Sequence, residues 1–147
     1  MSKKLQLKIF TPEKQILDEM VDFVTLPTTE GTITILPNHI PLIASLATGD
    51  IIATTNGEEI PIAVVGGFIE TKKEGEVTAV TILADFAEHV SDISEIEIEK
   101  AKARAEELKL IAKNKEIVDF EHFETELERS LNRVKIADKW RTRKYRK

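Results

Sequence analysis

The sequence predicts a mainly β domain, a flattened sandwich or barrel, followed by an antiparallel hairpin of two helices. Residues 1–88 contain short runs of alternating apolar and polar residues, and all six glycines and five prolines of the chain lie within residues 1–75. Frequent turns between short strands are typical of antiparallel sandwiches and barrels. From about residue 93 the chain is rich in charge, with apolar residues at helical spacing. We therefore expect a β-sandwich domain at residues 1–88 and a helical hairpin domain at residues 89–147.

The first strand alternates strictly, so one of its faces should be buried and the other exposed. The two faces are Leu5, Leu7 and Ile9 on one side, and Lys4, Gln6 and Lys8 on the other. The run Thr11-Pro12-Glu13-Lys14 then predicts a turn. In the second strand we expect Val21, Phe23 and Thr25 to share one face.

Turn residues divide the rest of this domain into further short strands. These are predicted near residues 32–36, 50–55, 60–65, 67–72 and 76–84. Asn56-Gly57 favours a tight hairpin because both residues tolerate positive φ. Gly66-Gly67 lies within an apolar run and predicts a bulge or a close approach of two backbones. No helical pattern follows it, which argues against a phosphate-binding loop.

One loop has the features of a rigid, exposed edge. A turn at Glu30-Gly31 leads into a strand of alternating Thr and Ile, which ends at the segment Leu36-Pro37-Asn38-His39-Ile40-Pro41. The two prolines fix φ at about −65° and reduce the entropy lost when the loop is held in one conformation. We expect this loop to contact a partner, although a stiff surface turn without a partner would carry the same pattern.

Two amphipathic patterns predict the helical hairpin, and Ser94 with Glu97 forms a candidate capping box at its start. The expected apolar seams are Ile98, Ala101, Ala105, Leu108 and Ala112 in the first helix, and Phe120, Phe123, Leu127, Leu131 and Val134 in the second. At about 25 cal/mol per Å² of buried apolar surface, against roughly 1.5 kcal/mol of ordering entropy per residue, such a hairpin has almost no net stability alone. The hairpin should therefore need a partner surface, a ligand or the sandwich in order to stay folded. This is a physical reason to expect a mobile regulatory element.

The charge of the chain is polarised along its length. The net charge is −5, but residues 133–147, here called the basic tail, carry eight Lys or Arg and one Asp. The tail therefore has a charge of +7 and leaves −12 on residues 1–132. Positive charge at a helix C-terminus complements the helix dipole. The basic tail could be a solvated helix end, or it could bind nucleic acid, anionic lipid or an acidic protein surface.

Composition argues against several functional classes. The chain has no cysteine, which excludes disulfides and thiolate chemistry. His39, His89 and His122 are far apart in sequence, so we expect no metal site. No nucleophile with a neighbouring base and no P-loop is apparent, and we expect a protein that is not an enzyme. The first residues alternate and predict a strand, whereas a leader peptide would have a long apolar stretch there. We therefore expect a soluble protein without membrane insertion.

Six segments of the predicted sandwich, in order, resemble the epsilon subunit of bacterial F-type ATP synthase. They are Thr11-Pro12-Glu13, then Val21-Asp22-Phe23-Val24 with Leu26-Pro27, then Glu30-Gly31 through Leu42, then Gly49, then Gly66-Gly67-Phe68-Ile69-Glu70, and finally Val80 through Asp85. Residues 96–137 are similar to the two-helix tail of that family. The resemblance extends over nearly the whole chain.

The resemblance implies a flattened barrel of about ten strands with a helical hairpin. It also implies a non-catalytic rotor subunit in the central stalk of a proton-translocating ATP synthase. The expected partners are the gamma subunit, the c-subunit ring, and the alpha and beta subunits, with no nucleic acid among them. The expected location is the cytoplasmic face of the bacterial cell membrane, as a peripheral protein. The sandwich would couple gamma to the c ring, and the hairpin would inhibit ATP hydrolysis by the alpha and beta subunits.

Two sets of contact residues follow from the resemblance. The c ring is expected to contact Glu30, Thr32, His39 and Pro41, although Thr32 stands where some relatives carry an acid. The acidic surface of the beta subunits is expected to contact Arg133, Lys135, Lys139, Arg141, Arg143 and Lys144.

The resemblance further implies a regulatory ATP site in the folded hairpin, with no turnover and no required cofactor. The expected residues are Ile96, Glu97, Lys100, Ala101, Arg129 and Arg133. The family pattern has Asp where this chain has Glu97, and Arg where it has Lys100. A lysine cannot form the two parallel hydrogen bonds that an arginine guanidinium group can make with a phosphate. Ordinary ion pairs on a solvated hairpin would account for the same charges. The rival function is a free-standing module that binds an anion or nucleotide and closes the hairpin over it.

Overall fold

The computed structural model describes residues 3–113 and 120–141, together with residues 143, 145 and 146. Within them, the strands are β1 (Leu5–Phe10), β2 (Gln15–Val21), β3 (Phe23–Thr28), β4 (Gly31–Ile35), β5 (Leu42–Leu46), β6 (Gly49–Thr55), β7 (Glu58–Glu74) and β8 (Val77–His89). A 3₁₀ turn, Val90–Asp92, leads to helices α1 (Glu95–Lys113) and α2 (Phe120–Trp140). The predicted fold class is confirmed. No helix of the described part has both the length and the hydropathy needed to cross a bilayer.

The strands form one sheet that folds over on itself around an apolar core. The sheet order is β2-β1-β8-β7-β5-β3-β4, and β6 pairs with β3 and β7. β1 runs parallel to β8, with Leu5 opposite Thr78, while β1 and β2 are antiparallel. Leu5, Leu7 and Ile9 are fully buried, as the alternation of the first strand predicts.

Strand β7 forms the corner of the folded sheet. Its first half pairs with β6 and its second half with β5, and the change occurs at Gly66 and Gly67, whose φ angles are 63° and 131°. A Cβ atom on Gly67 would lie 2.2 Å from the carbonyl oxygen of Leu83. The predicted close backbone approach is therefore confirmed. The predicted division into strands at 60–65 and 67–72 is wrong, because β7 keeps one register with β8 across the corner.

The second strand differs from its prediction. The chain bends at Asp22, which separates β2 from β3, and the Asp22 carboxylate accepts a hydrogen bond of 2.8 Å from the backbone N–H of Asn56. The bend shifts the alternation by one residue. Val21, Val24 and Leu26 are fully buried, whereas Phe23 and Thr25 are only half-buried. The prediction that Val21 shares one face with Phe23 and Thr25 is therefore wrong.

Helices α1 and α2 form the predicted antiparallel hairpin. The guanidinium group of Arg104 on α1 donates two hydrogen bonds, of 2.5 and 3.0 Å, to the carboxylate of Glu126 on α2. The capping box is confirmed: the Ser94 N–H donates to Glu97 Oε2 at 2.9 Å, and the Glu97 N–H donates to Ser94 Oγ at 3.2 Å. The residues of the α1 seam that are buried as predicted are Ile98, Ala101, Ala105 and Leu108.

The buried face of helix α2 agrees only in part with the prediction, and the predicted seam residues Leu127 and Val134 are half-buried. Leu131, which the pattern predicts in the seam, is 42% exposed, whereas Ile136, Ala137 and Trp140 are buried. The reason is that α2 packs on β6 and β7 of the sandwich as well as on α1. The structure describes the backbone of Ala112, Phe120 and Phe123 but not their side chains, so the predicted seam positions of these three lie outside the described part.

Candidate functional site between the hairpin and the sandwich

The hairpin packs on the sandwich through a small interface with polar groups at its centre. The buried Asn132 of α2 donates from Nδ2 to the carbonyl oxygens of Gly49, at 3.3 Å, and Val64, at 3.2 Å. Nearby, the Thr48 hydroxyl donates to the carboxylate of Glu128. The apolar part of the interface is a small buried cluster of Ala63, Val90, Ile136 and Trp140. The core of the sandwich is separate from this cluster and much larger, so directed hydrogen bonds supply much of the contact between the two modules.

An ion-pair cluster lies where β8 meets the two helices. Arg133 of α2 donates from Nε to Glu88 Oε1 at 2.6 Å and from a terminal nitrogen to Glu88 Oε2 at 3.2 Å. The same guanidinium group lies 3.6 Å from Glu97 Oε1 at the start of α1. The two-point geometry with Glu88 fits the planar donor fork of arginine. One side chain thus links the last strand, the first helix and the second helix.

The two carboxylates around Arg133 have opposite pKa shifts. Burial raises the pKa of Glu88 above its ordinary value of 4.5, although the hydrogen bonds and charge of Arg133 act in the other direction. The hydrogen bond from the backbone N–H of Ser94 lowers the pKa of Glu97 below 4.5, and Arg133 adds to this effect. Glu97 is therefore the stronger acid of the pair. A phosphate group that approached Arg133 would have to replace Glu88 as its main partner.

The remaining residues expected to bind ATP are not gathered into one site. The guanidinium carbon of Arg129 lies 4.0 Å from the centre of the Phe86 ring, and Arg129 lines a cleft of about 250 Å³ that also includes Lys14 and Glu88. Ligand pockets usually have at least roughly 300 Å³. Ile96 and Lys100 are exposed and Ala101 is buried. The folded hairpin thus brings Glu97 and Arg133 together and leaves Ile96 and Lys100 at the surface.

Several cations of the basic tail bind groups of this same chain. Lys139 Nζ lies 2.8 Å from Asp50 Oδ2, Arg141 lies 3.5 Å from Asp138, and the guanidinium carbon of Arg143 lies 5.5 Å from the centre of the Trp140 ring. Lys135 is exposed. Lys144, which the resemblance also assigns to the beta contact, lies outside the described residues.

The residues expected to contact the c ring lie at the two ends of β4. Glu30 and Thr32 are exposed at its beginning, and the loop with His39 and Pro41 follows its end. The strand between them has five residues and is about 17 Å long. The His39 ring is half-buried, with Nδ1 at 2.7 Å from the carbonyl oxygen of Ile40, and Pro41 is exposed.

Sequence reasoning did not identify an exposed apolar face of the sandwich. Ile43, Phe68 and Leu83 are 77%, 62% and 56% exposed, on the adjacent strands β5, β7 and β8. Phe68 lies opposite Leu83 in the β7–β8 pairing and opposite Ser45 in the β5–β7 pairing. Two apolar doublets in the sequence, Leu42-Ile43 and Phe68-Ile69, could have indicated this face. In a strand with one face in solvent, apolar residues should alternate with polar ones.

The folded chain is similar to proteins of one family. Residues 4–90 match the family model described as ATP synthase, Delta/Epsilon chain, beta-sandwich domain. The ATP synthase epsilon chain of Nitratidesulfovibrio vulgaris (strain DP4) is 40% identical over 136 residues, which cover 92% of this chain and 97% of the relative. That of Desulforamulus reducens is 38% identical over 138 residues, which cover 94% of this chain and the whole relative.

A solved structure with a similar fold comes from the Euglena gracilis mitochondrial ATP synthase, in its OSCP/F1/c-ring assembly in rotational state 1. The TM-score is 0.73 at 22% sequence identity, with 91% of this chain and 81% of the other covered. At this identity the likeness concerns the fold. The epsilon chain is an accessory subunit of ATP synthase and not its catalytic one. This protein belongs to the ATP synthase epsilon chain family.

Proposed function

We propose that this protein is a rotor subunit in the central stalk of a proton-translocating bacterial ATP synthase. The sandwich couples the gamma subunit to the c ring, and the hairpin restrains ATP hydrolysis by the alpha and beta subunits. The protein would act as a peripheral subunit at the cytoplasmic face of the cell membrane. Family membership and the separation of the chain into two modules support this proposal.

The observation that carries the restraining role is the polar, directional contact between hairpin and sandwich. Asn132, Arg133 and Lys139 hold α2 through hydrogen bonds and ion pairs, and in the described part of the chain a small apolar cluster supports them. Groups of this kind lose little when water or another protein replaces their partners. The hairpin can therefore leave the sandwich without opening the sandwich core, which is the requirement for a two-position regulatory element.

The exposed apolar face supports the coupling role of the sandwich. A row of large apolar side chains on neighbouring strands marks a surface that another protein covers, and Ile43, Phe68 and Leu83 form such a row on β5, β7 and β8. We assign this face to the gamma subunit. The rigid loop near His39, which also exposes Ile40 to 74%, and the turn at Glu30 remain the proposed contacts of the c ring.

Deletion of residues 93–147 should leave assembly intact and raise ATP hydrolysis by the purified complex. The sandwich keeps its own core, so it should still bind gamma and the c ring, while the restraint on the catalytic subunits is removed. Hydrolysis and ATP-driven proton pumping of the complex are the measurements. The full-length protein, purified in parallel, is the control.

Two outcomes would contradict these assignments. Unchanged hydrolysis after the deletion would remove the restraining role. A full-length chain that never co-purifies with alpha, beta and gamma would instead support the rival function, a free-standing module that binds an anion or nucleotide.

We also propose that ATP acts as a regulatory ligand of the folded hairpin, at Arg129 and Arg133 with Ile96, Glu97, Lys100 and Ala101. The two arginines lie one turn apart on α2, so their guanidinium groups can turn to the same polyphosphate. Because ATP must displace Glu88 from Arg133, and because Lys100 lacks the arginine fork, binding should be weak.

Calorimetric titration of the isolated protein with ATP should give a binding signal and raise the unfolding temperature of the hairpin, since the ligand binds the folded state. Double replacement of Arg129 and Arg133 by alanine should abolish both effects. Replacement of Lys135, an exposed cation of α2, should leave them unchanged. The absence of any heat or stabilisation in the unmodified protein would exclude nucleotide as a ligand.

A further inference from the structure

The turn between β6 and β7 places an asparagine and a glycine at the surface of the sandwich. Thr55 of β6 lies opposite Glu58 of β7, so Asn56 and Gly57 are the two central residues of the turn. Their φ angles are 52° and 81°, and both residues are exposed. Two positive φ angles are what the type I′ turn of a tight hairpin requires. The fold thus holds this pair where solvent reaches it.

The side-chain amide of Asn56 contacts a cation from a distant part of the chain. Lys4, the residue before β1, donates from Nζ to Asn56 Oδ1 at 3.3 Å. The same ammonium group lies 4.0 Å from Asp22 Oδ1, and the backbone N–H of Asn56 donates to Asp22 Oδ2 at 2.8 Å. Both the backbone and the side chain of Asn56 are therefore held. The positive charge of Lys4 polarises the amide carbonyl bond, which makes its carbon more electrophilic.

Gly57 allows its own backbone nitrogen to approach the preceding side chain. Glycine has no Cβ, so it lets the backbone come close to a reacting group. A Cβ atom built on Gly57 would also have no atom of the described residues within 4 Å, so the site is open on this side. Asparagine is among the thermolabile residues of proteins. Asn38 is exposed as well and has a φ of 70°, but it is followed by His39, whose Cβ hinders the same approach.

We propose that Asn56 is a site of spontaneous deamidation, promoted by Gly57 and by the ammonium group of Lys4. The Gly57 nitrogen loses its proton to hydroxide and attacks Asn56 Cγ. A bond forms between these two atoms, and the bond from Cγ to Nδ2 breaks, so that ammonia leaves with a proton taken from water. Lys4 stabilises the negative charge that develops on Oδ1. Water then opens the cyclic imide at either carbonyl, which gives aspartate or isoaspartate. The net reaction consumes water and releases ammonia, without oxidation or reduction.

The two products change the sandwich in different ways. Aspartate keeps the length of the backbone and adds a negative charge beside Lys4 and Asp22. Isoaspartate adds a carbon atom to the backbone of the turn, so Thr55 and Glu58 can no longer keep their register. Because β6 also pairs with β3, this change reaches a further strand of the sheet. The modification concerns this chain alone and does not depend on the proposed function.

Incubation of the isolated full-length protein at mildly alkaline pH tests the site. Peptide mapping by mass spectrometry, with enzymatic methylation of isoaspartate, measures the conversion of each asparagine. Asn56 should convert at least roughly tenfold faster than Asn38, a difference of about 1.4 kcal/mol in activation free energy. Gly57→Ala should slow the conversion of Asn56, because its Cβ restores the steric obstacle. Equal rates at Asn38 and Asn56, or no effect of Gly57→Ala, would overturn the site.

A second variant tests the role of Lys4. Lys4→Met should slow the conversion of Asn56 roughly two- to fivefold, the effect of one partly exposed charged contact. Lys3→Met is the matched control, because it removes the same charge from the exposed neighbouring residue, and it should leave the rate unchanged. In guanidinium chloride that unfolds the protein, Lys4→Met and the unmodified chain should convert equally fast. Equal rates in the folded proteins, or an effect of Lys4→Met that persists after unfolding, would overturn the contribution of Lys4.

Discussion

Replacement of Gly67 by alanine should destabilise the sandwich by roughly 3–5 kcal/mol, the sum of backbone strain and overpacking. Gly67 has a φ of 131°, a conformation that residues with a Cβ rarely adopt. The added Cβ would lie 2.2 Å from the carbonyl oxygen of Leu83 and 2.8 Å from the Cα of Ala84. Both neighbours are backbone atoms of β8, so no side-chain rotation can relieve the contact.

Chemical denaturation of the isolated protein measures this loss. Gly75→Ala is the matched control, because Gly75 also has positive φ, 67°, but has no atom within 4 Å of its would-be Cβ. That variant should lose only about 1 kcal/mol. Equal losses in the two variants would show that the close approach of β7 and β8 is not required for stability.

Replacement of Trp140 by alanine should release the hairpin from the sandwich. The indole is almost fully buried in the small cluster beneath α2, and truncation of a buried aromatic residue costs roughly 3–5 kcal/mol. Among the described residues, the rest of this cluster is Ala63, Val90 and Ile136, with Ile52, Ile93 and Tyr145 packed against it. Loss of the indole should therefore exceed what the hydrogen bonds of Asn132 and Arg133 can hold. The sandwich should keep its unfolding midpoint.

Hydrogen exchange of α2 and circular dichroism at the helical wavelengths measure the release. Trp140→Phe should have a smaller effect, because it keeps most of the apolar contact and loses only the N–H bond to Asp50. Leu131→Ala is the control on the same helix, since Leu131 is 42% exposed. A hairpin that stays protected in Trp140→Ala would show that its polar contacts are sufficient.

Local patterns in the sequence are enough to predict much of this fold. The alternation in β1, the turn at Asn56-Gly57, and the capping box of Ser94 with Glu97 each depend on residues close together in the chain. The close approach at Gly67 is also predictable, because glycine inside a strand commonly marks a bulge or a point where another backbone comes near. These features require no knowledge of distant contacts.

The errors have a common physical cause in long-range packing. The bend at Asp22 depends on the backbone of Asn56, and the buried face of α2 depends on strands that precede it by many residues. The partners of Arg133 and Trp140, which are Glu88 and Asp50, are likewise distant in sequence. A one-dimensional pattern shows that a side chain is charged or apolar, but it does not identify the partner.

The parallel pairing of β1 with β8 determines the order in which the chain can fold. β1 lies between β2 and β8, and its residues Leu5 to Phe10 are opposite Thr78 to Leu83. During synthesis on the ribosome, β1 can pair with β2 early. Its other edge can pair with β8 only after nearly the whole sandwich sequence has emerged. Contacts of this long sequence separation slow folding. Because the hairpin is synthesised only afterwards and packs on a finished surface, we expect it to be the last part of the protein to become ordered.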